Sequence, residues 1–388
     1  MKILLYGGGF NPPHLGHRAA LMTAQKLLKP DRTLIIPDGM PPHKLLPSLT
    51  PAADVRLMLC ALNFASLPDT EISKIAISRE GPSYMVDTLS LLRRDFPEDE
   101  LILLMGSDML LTIDQWYRAG ELLQMCTFAA LCRKSGEGSA LREKVGELEK
   151  RGVSVSLLEH EPVPVSSSKI RSLLPKRQGR AYLSDAVYGE IIRLRLYEAK
   201  PDLGWLREQV PLLHKPKRVA HVLGCADTAR RMALRWGLDP DAAEEAGLLH
   251  DCTKRWTEQE QLAYCDRMGI VLTEGERANP QLLHARTGAV FAHERFGCPE
   301  DICDAIRWHT TGKPGMNPFE MLLYLADMIE PNRTYAGTQE LRKLADEDLN
   351  RCMCHALQRS MEILQERNMQ VYQDTLEACR WYESAYGN

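Results

Sequence analysis

The 388-residue sequence predicts an α/β unit built on a doubly wound parallel sheet, followed by an all-α unit. Three observations predict this. Strand-like runs alternate with helical patterns through the first half, the mark of parallel βαβ units. A Gly-rich turn, Gly7-Gly8-Gly9, joins the first apolar run to the first helix, an arrangement that presents backbone N–H groups to phosphate. Beyond about residue 200 no strand pattern remains, and a chain of this length is expected to hold more than one core.

Taken in order, Ile3 to Tyr6 read as the first strand, and Leu21, Met22, Leu27 and Leu28 place a helix over 15–29. Further strands are predicted at Thr33–Pro37, Leu101–Met105, Thr127–Leu131 and Ser154–Leu158, with helices over 51–64, 83–95 and 140–150. After Ser166-Ser167-Ser168 a helix over 184–196 closes the unit. Ligands of such sheets bind beyond the carboxyl ends of the strands, so the turns that follow these strands are expected to share one crevice. Glu198-Ala199-Lys200-Pro201-Asp202 is a short polar stretch containing Pro. Helical periodicity then runs through 203–213, 216–236, 239–250, 257–268, 284–296, 299–309, 317–330 and 338–384. The expected domains are 1–198 and 204–388.

Composition narrows the classes. The chain is 44% hydrophobic and 26% charged with a net charge of −4, which argues against a general electrostatic grip on nucleic acid. Eleven cysteines, an odd count without a Cys-x-x-Cys pair, read as reduced thiols. A strand begins almost at Met1, leaving no room for a signal peptide, and no apolar run approaches the roughly 18 residues of a membrane span. A cytoplasmic protein acting on small molecules is expected, and self-association is compatible with the composition.

Two common phosphate motifs are excluded. No Gly-x-x-x-x-Gly-Lys-Ser/Thr occurs, and a dinucleotide fingerprint begun at Gly7 and Gly9 meets Pro12 at its third glycine position. What remains is His14-Leu15-Gly16-His17 at the mouth of a helix. Gly16 lets a phosphate approach closely, and two imidazoles can donate hydrogen bonds to its oxygens. One such histidine could equally be a surface residue. Two of them flanking a glycine, behind a strand and a Gly-rich turn, point to a phosphate site.

The segment from Gly7 to His17, Gly-Gly-Gly-Phe-Asn-Pro-Pro-His-Leu-Gly-His, resembles the signature of the nucleotidylyltransferase superfamily. Later turns resemble one branch, the bacterial nicotinate mononucleotide adenylyltransferases. Pro41-Pro42-His43-Lys44 is similar to that family's loop after the second strand. Ser83-Tyr84-Met85-Val86-Asp87-Thr88-Leu89 resembles its helix with a substrate-contacting Thr. Leu104-Met105-Gly106-Ser107-Asp108 is similar to its fourth-strand turn, with Trp116 following, and Val165-Ser166-Ser167-Ser168-Lys169-Ile170-Arg171 to its second ATP motif. The resemblance covers about residues 1–197 and implies a Rossmann-like fold. It implies ATP contacts at Gly7, Gly8, Gly9, Phe10, His14, Gly16, His17, Gly106, Asp108, Ser167, Ser168 and Arg171, and nicotinate mononucleotide contacts at Lys44, Thr88 and Trp116. Lys44 could also be a solvated loop residue and Trp116 a core residue. The family usually has Thr or Ser at the position of Gly9 and Asp at that of Asn11.

The chemistry suits these residue types. The nucleophile in adenylyl transfer is a phosphate oxygen, already anionic, so no catalytic base is needed. The protein must hold it in line with the α-phosphorus of ATP and stabilise charge as pyrophosphate leaves. His14, His17 and Arg171 are the expected catalytic donors, and Mg²⁺ would ride on the ATP.

In the helical half, His221, His250-Asp251, His284, His309 and Asp327 sit in helical patterns or at their ends. A lone helical histidine is more often a core or capping residue than a ligand. Asp327, flanked by Leu322, Leu323, Leu325, Met328 and Ile329, would be costly to bury unpaired. Imidazoles and carboxylates on several helices commonly converge on a metal, and this mixed set suits Fe, Mn, Co or Zn.

The order His, His-Asp, His, His, Asp resembles the HD metal-dependent phosphohydrolase superfamily. Arg218-Val219-Ala220-His221, Gly247-Leu248-Leu249-His250-Asp251-Cys252-Thr253-Lys254, Leu283-His284-Ala285-Arg286-Thr287-Gly288-Ala289, Ile306-Arg307-Trp308-His309-Thr310-Thr311-Gly312 and Tyr324-Leu325-Ala326-Asp327 resemble its branch that hydrolyses diadenosine tetraphosphate symmetrically. The resemblance covers about residues 204–385 and departs at Val222, where Ser is common. It implies one metal on His221, His250, Asp251 and Asp327 and a second on His284 and His309, with Asp251 bridging and catalytic; iron is the first choice. Lys254, Arg286 and Lys313 are candidate polyphosphate contacts, each of which could equally be a surface charge. A bifunctional enzyme is expected, joining ATP to nicotinate mononucleotide and cleaving a dinucleoside polyphosphate. Alternatives are a nicotinamide mononucleotide or phosphopantetheine acceptor for the first half. For the second they are guanosine tetraphosphate hydrolysis or a nucleotide-sensing role.

Overall fold

The computed structural model describes residues 1–40, 47–132 and 138–387. The chain divides into two compact units, Met1–Lys200 and Pro201–Asn388.

In the first unit six strands, β1 (Lys2–Gly8), β2 (Arg32–Pro37), β3 (Thr70–Ile72), β4 (Glu100–Gly106), β5 (Thr127–Cys132) and β6 (Val155–Glu159), form one parallel sheet in the order β3-β2-β1-β4-β5-β6. Its helices are α1 (Leu15–Leu28), α2 (Ala53–Phe64), α3 (Met85–Asp95), α4 (Ser107–Leu111), α5 (Ala119–Leu122), α6 (Gly138–Lys150), α7 (Ser167–Leu173) and α8 (Asp185–Arg193). Central strands of a sheet covered on both faces read as continuous apolar runs. β1 and β4 do so, and alternate residues enter opposite cores: Ile3, Leu5, Leu101 and Leu103 pack on one side, Leu4, Ile102 and Leu104 on the other. The strand order reverses between β1 and β4. This is the switch point at which a crevice opens beyond the strand ends, here at Gly7–Gly9 and Gly106. The doubly wound prediction holds. It missed β3, because three residues are too few to show an alternating pattern.

The second unit is helical throughout its described residues: α9 (Leu203–Leu213), α10 (Pro216–Trp236), α11 (Pro240–Leu249), α12 (Glu258–Met268), α13 (Glu274–Ala278), α14 (Leu283–Phe296), α15 (Glu300–Trp308), α16 (Pro318–Ile329), α17 (Thr338–Glu347), α18 (Leu349–Glu366) and α19 (Gln373–Tyr386). The breaks follow capping chemistry. Asp202, Asp239, Thr257, Asn317 and Asp348 accept hydrogen bonds from the first-turn amides of α9, α11, α12, α16 and α18. The predicted continuous run 338–384 is in fact three helices. Apolar periodicity passes through the break at Asp348, but that side chain ends one helix by capping the next.

The contact between α10 and α11 sets up the site of this unit. A Cβ at Gly247 would lie 2.5 Å from Ala226 Cα, so only glycine lets the end of α11 approach α10 this closely. Gly247 lies one turn before His250. Gly247→Ala is therefore expected to destabilise the second unit by about 1–3 kcal/mol and lower its thermal midpoint by roughly 2–4 °C per kcal/mol. Calorimetry of the full chain would check this; an unchanged midpoint would show that the helices can part freely.

Candidate functional site

In the first unit the Gly-rich loop is held by hydrogen bonds from four directions. Ser167 Oγ donates to Pro12 O at 2.8 Å and Arg171 to Asn11 O at 2.5 Å, so the start of α7 is tied to the loop after β1. Tyr197 donates its hydroxyl proton to Asn11 Oδ1 at 2.8 Å, while Asn11 Nδ2 donates to Thr50 Oγ1. Buried Arg56 bridges the carbonyls of Gly9 and Gly39 at 2.9 and 3.0 Å, locking the loop after β1 to the one after β2. Asp38 lies within the charge field of Arg56, yet burial pushes its carboxyl up to about 6.

His14 and His17 form a reciprocal cap on α1. The Nδ1 of each accepts from the other residue's backbone N–H, and the rings stack at 3.7 Å. An accepting Nδ1 places the proton of a neutral imidazole on Nε2, which makes each ring a donor. Burial lowers His14 to about 4 and His17 to about 3, so both are neutral near pH 7. Gly16 is needed for this packing, since a Cβ there would lie 2.9 Å from His14 Nδ1.

A cavity of about 720 Å³ opens beside this loop, lined by Gly7, Gly8, Gly9, Phe10, His17, Ser167, Ser168, Arg171 and Trp116 together with Tyr84, Met85 and Tyr117. His14 and Gly16 stand beside it at the start of α1, and Gly106 and exposed Asp108 at the end of β4. Thr88 is not brought to the cavity. It is 1% exposed, and its hydroxyl turns back to Tyr84 O within α3. On that helix Tyr84 and Met85 face the cavity instead, and Tyr84 packs against Tyr117 at 4.2 Å. Lys44 and its Pro-Pro-His neighbours lie outside the described residues. A Cβ at Gly9 would meet nothing within 4 Å, so no steric reason for that departure is visible. The amide at Asn11 is used at both ends. Arg56 and Tyr197 escaped the sequence reading because their partners lie 47 and 186 residues away.

In the second unit all six expected metal ligands converge. Asp251 Oδ2 faces His250 Nε2 at 3.4 Å and His221 Nε2 at 4.0 Å, and its Oδ1 faces His284 Nε2 at 3.3 Å and His309 Nε2 at 3.5 Å. Asp327 Oδ1 lies 3.0 Å from His221 Nε2 and 4.0 Å from His250 Nε2. The opposite faces of all four rings are already committed. His250, His284 and His309 place Nδ1 within 2.6–2.7 Å of the carbonyls of Gly247, Gln281 and Ile306, each three residues earlier. His221 Nδ1 lies 3.1 Å from Glu330 Oε1. A carbonyl only accepts, so Nδ1 carries the proton and a neutral ring turns the Nε2 lone pair toward the carboxylates.

Lone pairs facing carboxylate oxygens repel unless a cation lies between them. Asp251 Oδ1 and His250 Nε2 have no hydrogen-bond partner among the described residues. Despite burial both carboxyls lie well below the usual carboxylate range, and Arg218 donates to Asp251 and Arg333 to Asp327. Three overlapping His/Asp triads have their donor atoms within 4.8 Å of one another. The residues present fit a divalent metal.

Cations surround the set. Arg218 donates to Asp251 Oδ2 and lies 3.3 Å from His221 Nε2; Lys254 Nζ lies 2.8 Å from His284 Nε2; Arg333 donates to Asp327 Oδ1 at 2.7 Å. Of the predicted polyphosphate contacts only Lys254 is brought here. Arg286 is engaged by Glu276 at 2.9 Å and Lys313 by Glu320 at 2.7 Å. Arg218, Arg333 and Glu330 were missed, although the turn before His221 and the six residues after Asp327 are where neighbours of a helical ligand fall.

Glu330 is 1% exposed, and its Oε2 accepts from the backbone N–H and side-chain amide of Asn332. Gly224 makes room for it, since a Cβ there would lie 2.7 Å from Glu330 Oε2. Carboxylate partners of this kind orient a ligating imidazole and raise its basicity. Glu330→Gln is expected to weaken divalent-metal affinity about 10- to 100-fold with the helical content unchanged. Metal titration by calorimetry would check it, and wild-type affinity would refute it.

Comparison with known proteins agrees with both constellations. Residues 5–173 match the family model described as cytidylyltransferase-like and residues 218–332 that of the HD domain. The chain is 39% identical over 170 residues, 43% of its length and 90% of the relative, to the Bacillus subtilis protein named "Bis(5'-nucleosyl)-tetraphosphatase, symmetrical". It is 33% identical over 204 residues, 52% of its length and 94% of the relative, to a Gemmatimonas aurantiaca protein named "Probable nicotinate-nucleotide adenylyltransferase". A crystal structure of a Clostridium acetobutylicum protein described as a "predicted HD superfamily hydrolase" aligns with a TM-score of 0.46 at 33% identity, covering 48% of this chain and all of that one. The chain is thus a bifunctional nucleotide enzyme that belongs to the nicotinate-nucleotide adenylyltransferase family in its first unit and to the HD-domain symmetrical bis(5'-nucleosyl)-tetraphosphatase family in its second.

Proposed function

We propose that the first unit transfers the adenylyl group of ATP to nicotinate mononucleotide, giving deamido-NAD and pyrophosphate. The second unit hydrolyses diadenosine tetraphosphate to two ADP, and both reactions take place in the cytoplasm. The observation that supports the first reading is the junction of the two phosphate segments, in which Ser167 and Arg171 bond directly to the loop that carries His14 and His17. The observation that supports the second is the ring of Nε2 lone pairs facing Asp251 and Asp327.

In adenylyl transfer a mononucleotide phosphate oxygen bonds to the α-phosphorus as the bond to the β-phosphate oxygen breaks. His14 and His17 offer neutral Nε2–H donors, and Arg171 and the amides at the start of α7 add charge and direction for the departing pyrophosphate. Mg²⁺ carried on ATP supplies charge neutralisation. Trp116 and Tyr84 give the cavity aromatic surface for the pyridine ring. Lys44 is assigned to the mononucleotide phosphate by family resemblance alone.

In the hydrolase His221, His250, Asp251 and Asp327 would hold one divalent metal and His284 and His309 a second, with Asp251 between them. Iron is the first choice, and Mn, Co or Zn also suit four nitrogens and two carboxylates. Bound metal of this kind activates water and neutralises phosphate charge. Asp251 holds the two groups of imidazoles at opposite oxygens, and Arg218, Lys254 and Arg333 are placed to bind the phosphate chain.

Full-length protein is expected to form deamido-NAD from ATP and nicotinate mononucleotide, and to release ADP from diadenosine tetraphosphate. Arg171→Ala should lower transferase kcat by about 10²- to 10³-fold and leave hydrolysis intact. The His250→Ala/Asp251→Ala double variant should abolish hydrolysis and leave transfer intact. Product assays on each variant check this; loss of both activities in either variant would contradict two independent sites.

A further inference from the structure

The helix that carries Tyr84 and Met85 to the cavity also carries Asp87, which neither reaction yet uses. Its carboxylate is held from two directions. Oδ2 accepts from Arg79 Nη2 at 2.8 Å and Oδ1 from Arg118 Nη1 at 3.2 Å. Arg79 comes from the segment before α3 and Arg118 from the residue before α5. Arg118 reaches further, since its Nε and Nη2 donate to Glu121 Oε2 and Oε1 at 2.8 and 2.6 Å. One guanidinium thus ties the first turn of α3 to α5.

The two residues before Arg118 are Trp116 and Tyr117, and both line the cavity. Asp87 lies one turn beyond Tyr84 on the same face of α3, and Tyr84 packs on Tyr117 at 4.2 Å with the ring planes 31° apart. The ion pair and the ring pair are therefore adjacent links between the same two segments. The segment with Trp116 depends on such links. Arg118 has a φ of 53°, in the left-handed region that a non-glycine residue keeps only where its surroundings hold it. Tyr117 is 49% exposed, so core packing alone does not fix its ring. Main-chain hydrogen bonds run from Trp116 N–H to Ile113 O and from Ala119 N–H to Trp116 O, and both shape the turn from within. The side chains of Asp87 and Arg118 are themselves part-exposed, a setting in which an ion pair adds little to overall stability. What the pair does is local.

We propose that Asp87 is a positioning residue for the acceptor: by clamping Arg118 against α3 it fixes the aromatic wall of Tyr84, Trp116 and Tyr117 that receives the flat ring of the mononucleotide. This rests on the reading of the first unit as a transferase with nicotinate mononucleotide as acceptor. A wall already in place spares part of the ordering cost of binding. Loss of the clamp therefore acts on the acceptor, while the phosphate donors His14, His17 and Arg171 keep their places.

The test uses the full chain carrying Asp87→Asn, Asp87→Glu, Arg118→Gln, or Asp87→Asn with Arg118→Gln. KM for each substrate and kcat are measured, together with hydrogen exchange of the Trp116 and Ala119 amides in the free protein. Asp87→Asn should raise KM for the mononucleotide about three- to tenfold and leave kcat and KM for ATP within about twofold. The Trp116 and Ala119 amides should exchange faster, because local opening there becomes easier. Asp87→Glu, which keeps the charge, should recover part of the loss, and the double variant should be no worse than the weaker single one, since both remove one contact. Wild-type acceptor KM in Asp87→Asn would overturn the proposal. So would an equal rise of both KM values with a lower kcat, which would make Asp87 a general support of the fold. Should Asp87→Asn fail to fold, Arg118→Gln carries the same test with the same outcomes. A wild-type protein that forms no deamido-NAD would defeat the assigned acceptor, and unchanged exchange at Trp116 and Ala119 in Asp87→Asn would separately defeat the role of Asp87.

Discussion

The second unit is governed by one constraint: four imidazoles are anchored through Nδ1, so their Nε2 atoms must meet over the carboxylates of buried Asp251 and half-buried Asp327. Three anchors are carbonyls three residues upstream of their histidine, at Gly247, Gln281 and Ile306. The fourth is the carboxylate of Glu330. The rings cannot turn away to relieve the repulsion, because turning would break a buried hydrogen bond at each anchor. Much of the surrounding structure serves this arrangement. The Gly247–Ala226 contact seats α11, Gly224 admits Glu330, and Thr253 donates to His284 O to fix the start of α14. The centre is thus preorganised for positive charge, and Arg218, Lys254 and Arg333 press on it from outside.

The first unit solves a different problem with different means. The adenylyl transfer proposed for it, to an anionic acceptor, needs donors in fixed places, not a base. Here the donors are neutral Nε2–H groups whose tautomer is set by the His14–His17 cap on α1. The loop carrying them is tied to α7, to the loop after β2 through Arg56, and to Tyr197 through Asn11. The side chain at Asn11 therefore works as a brace for the loop.

How much of this was legible in the sequence depended on sequence separation. The doubly wound sheet could be read because β1 and β4 are continuous apolar runs feeding glycine turns, and the HD ligands because each lies in a short recognisable segment. Local motifs also located the phosphate loops. Residues that act only through distant partners were not readable: Arg56 and Tyr197 in the first unit and Glu330 in the second. Thr88 shows the opposite failure. Its segment was recognised correctly, but the helix turns that hydroxyl onto its own backbone and offers Met85 and Tyr84 to the cavity. Arg286 and Lys313 likewise had the right charge in the right segments, but Glu276 and Glu320 hold them.

The central claim is that the second unit's imidazoles and carboxylates are built around a divalent cation. The most direct measurement is the thermal unfolding of full-length protein before and after exhaustive chelation, with metal content determined at each stage. Binding to the folded state alone stabilises by about 2.7 kcal/mol at a hundredfold excess over Kd. The account predicts that as-isolated protein carries divalent metal, that chelation lowers the unfolding transition of the second unit, and that adding Fe²⁺ or Mn²⁺ restores it. Protein that binds no divalent metal, and unfolds at the same temperature with or without chelator, would contradict it.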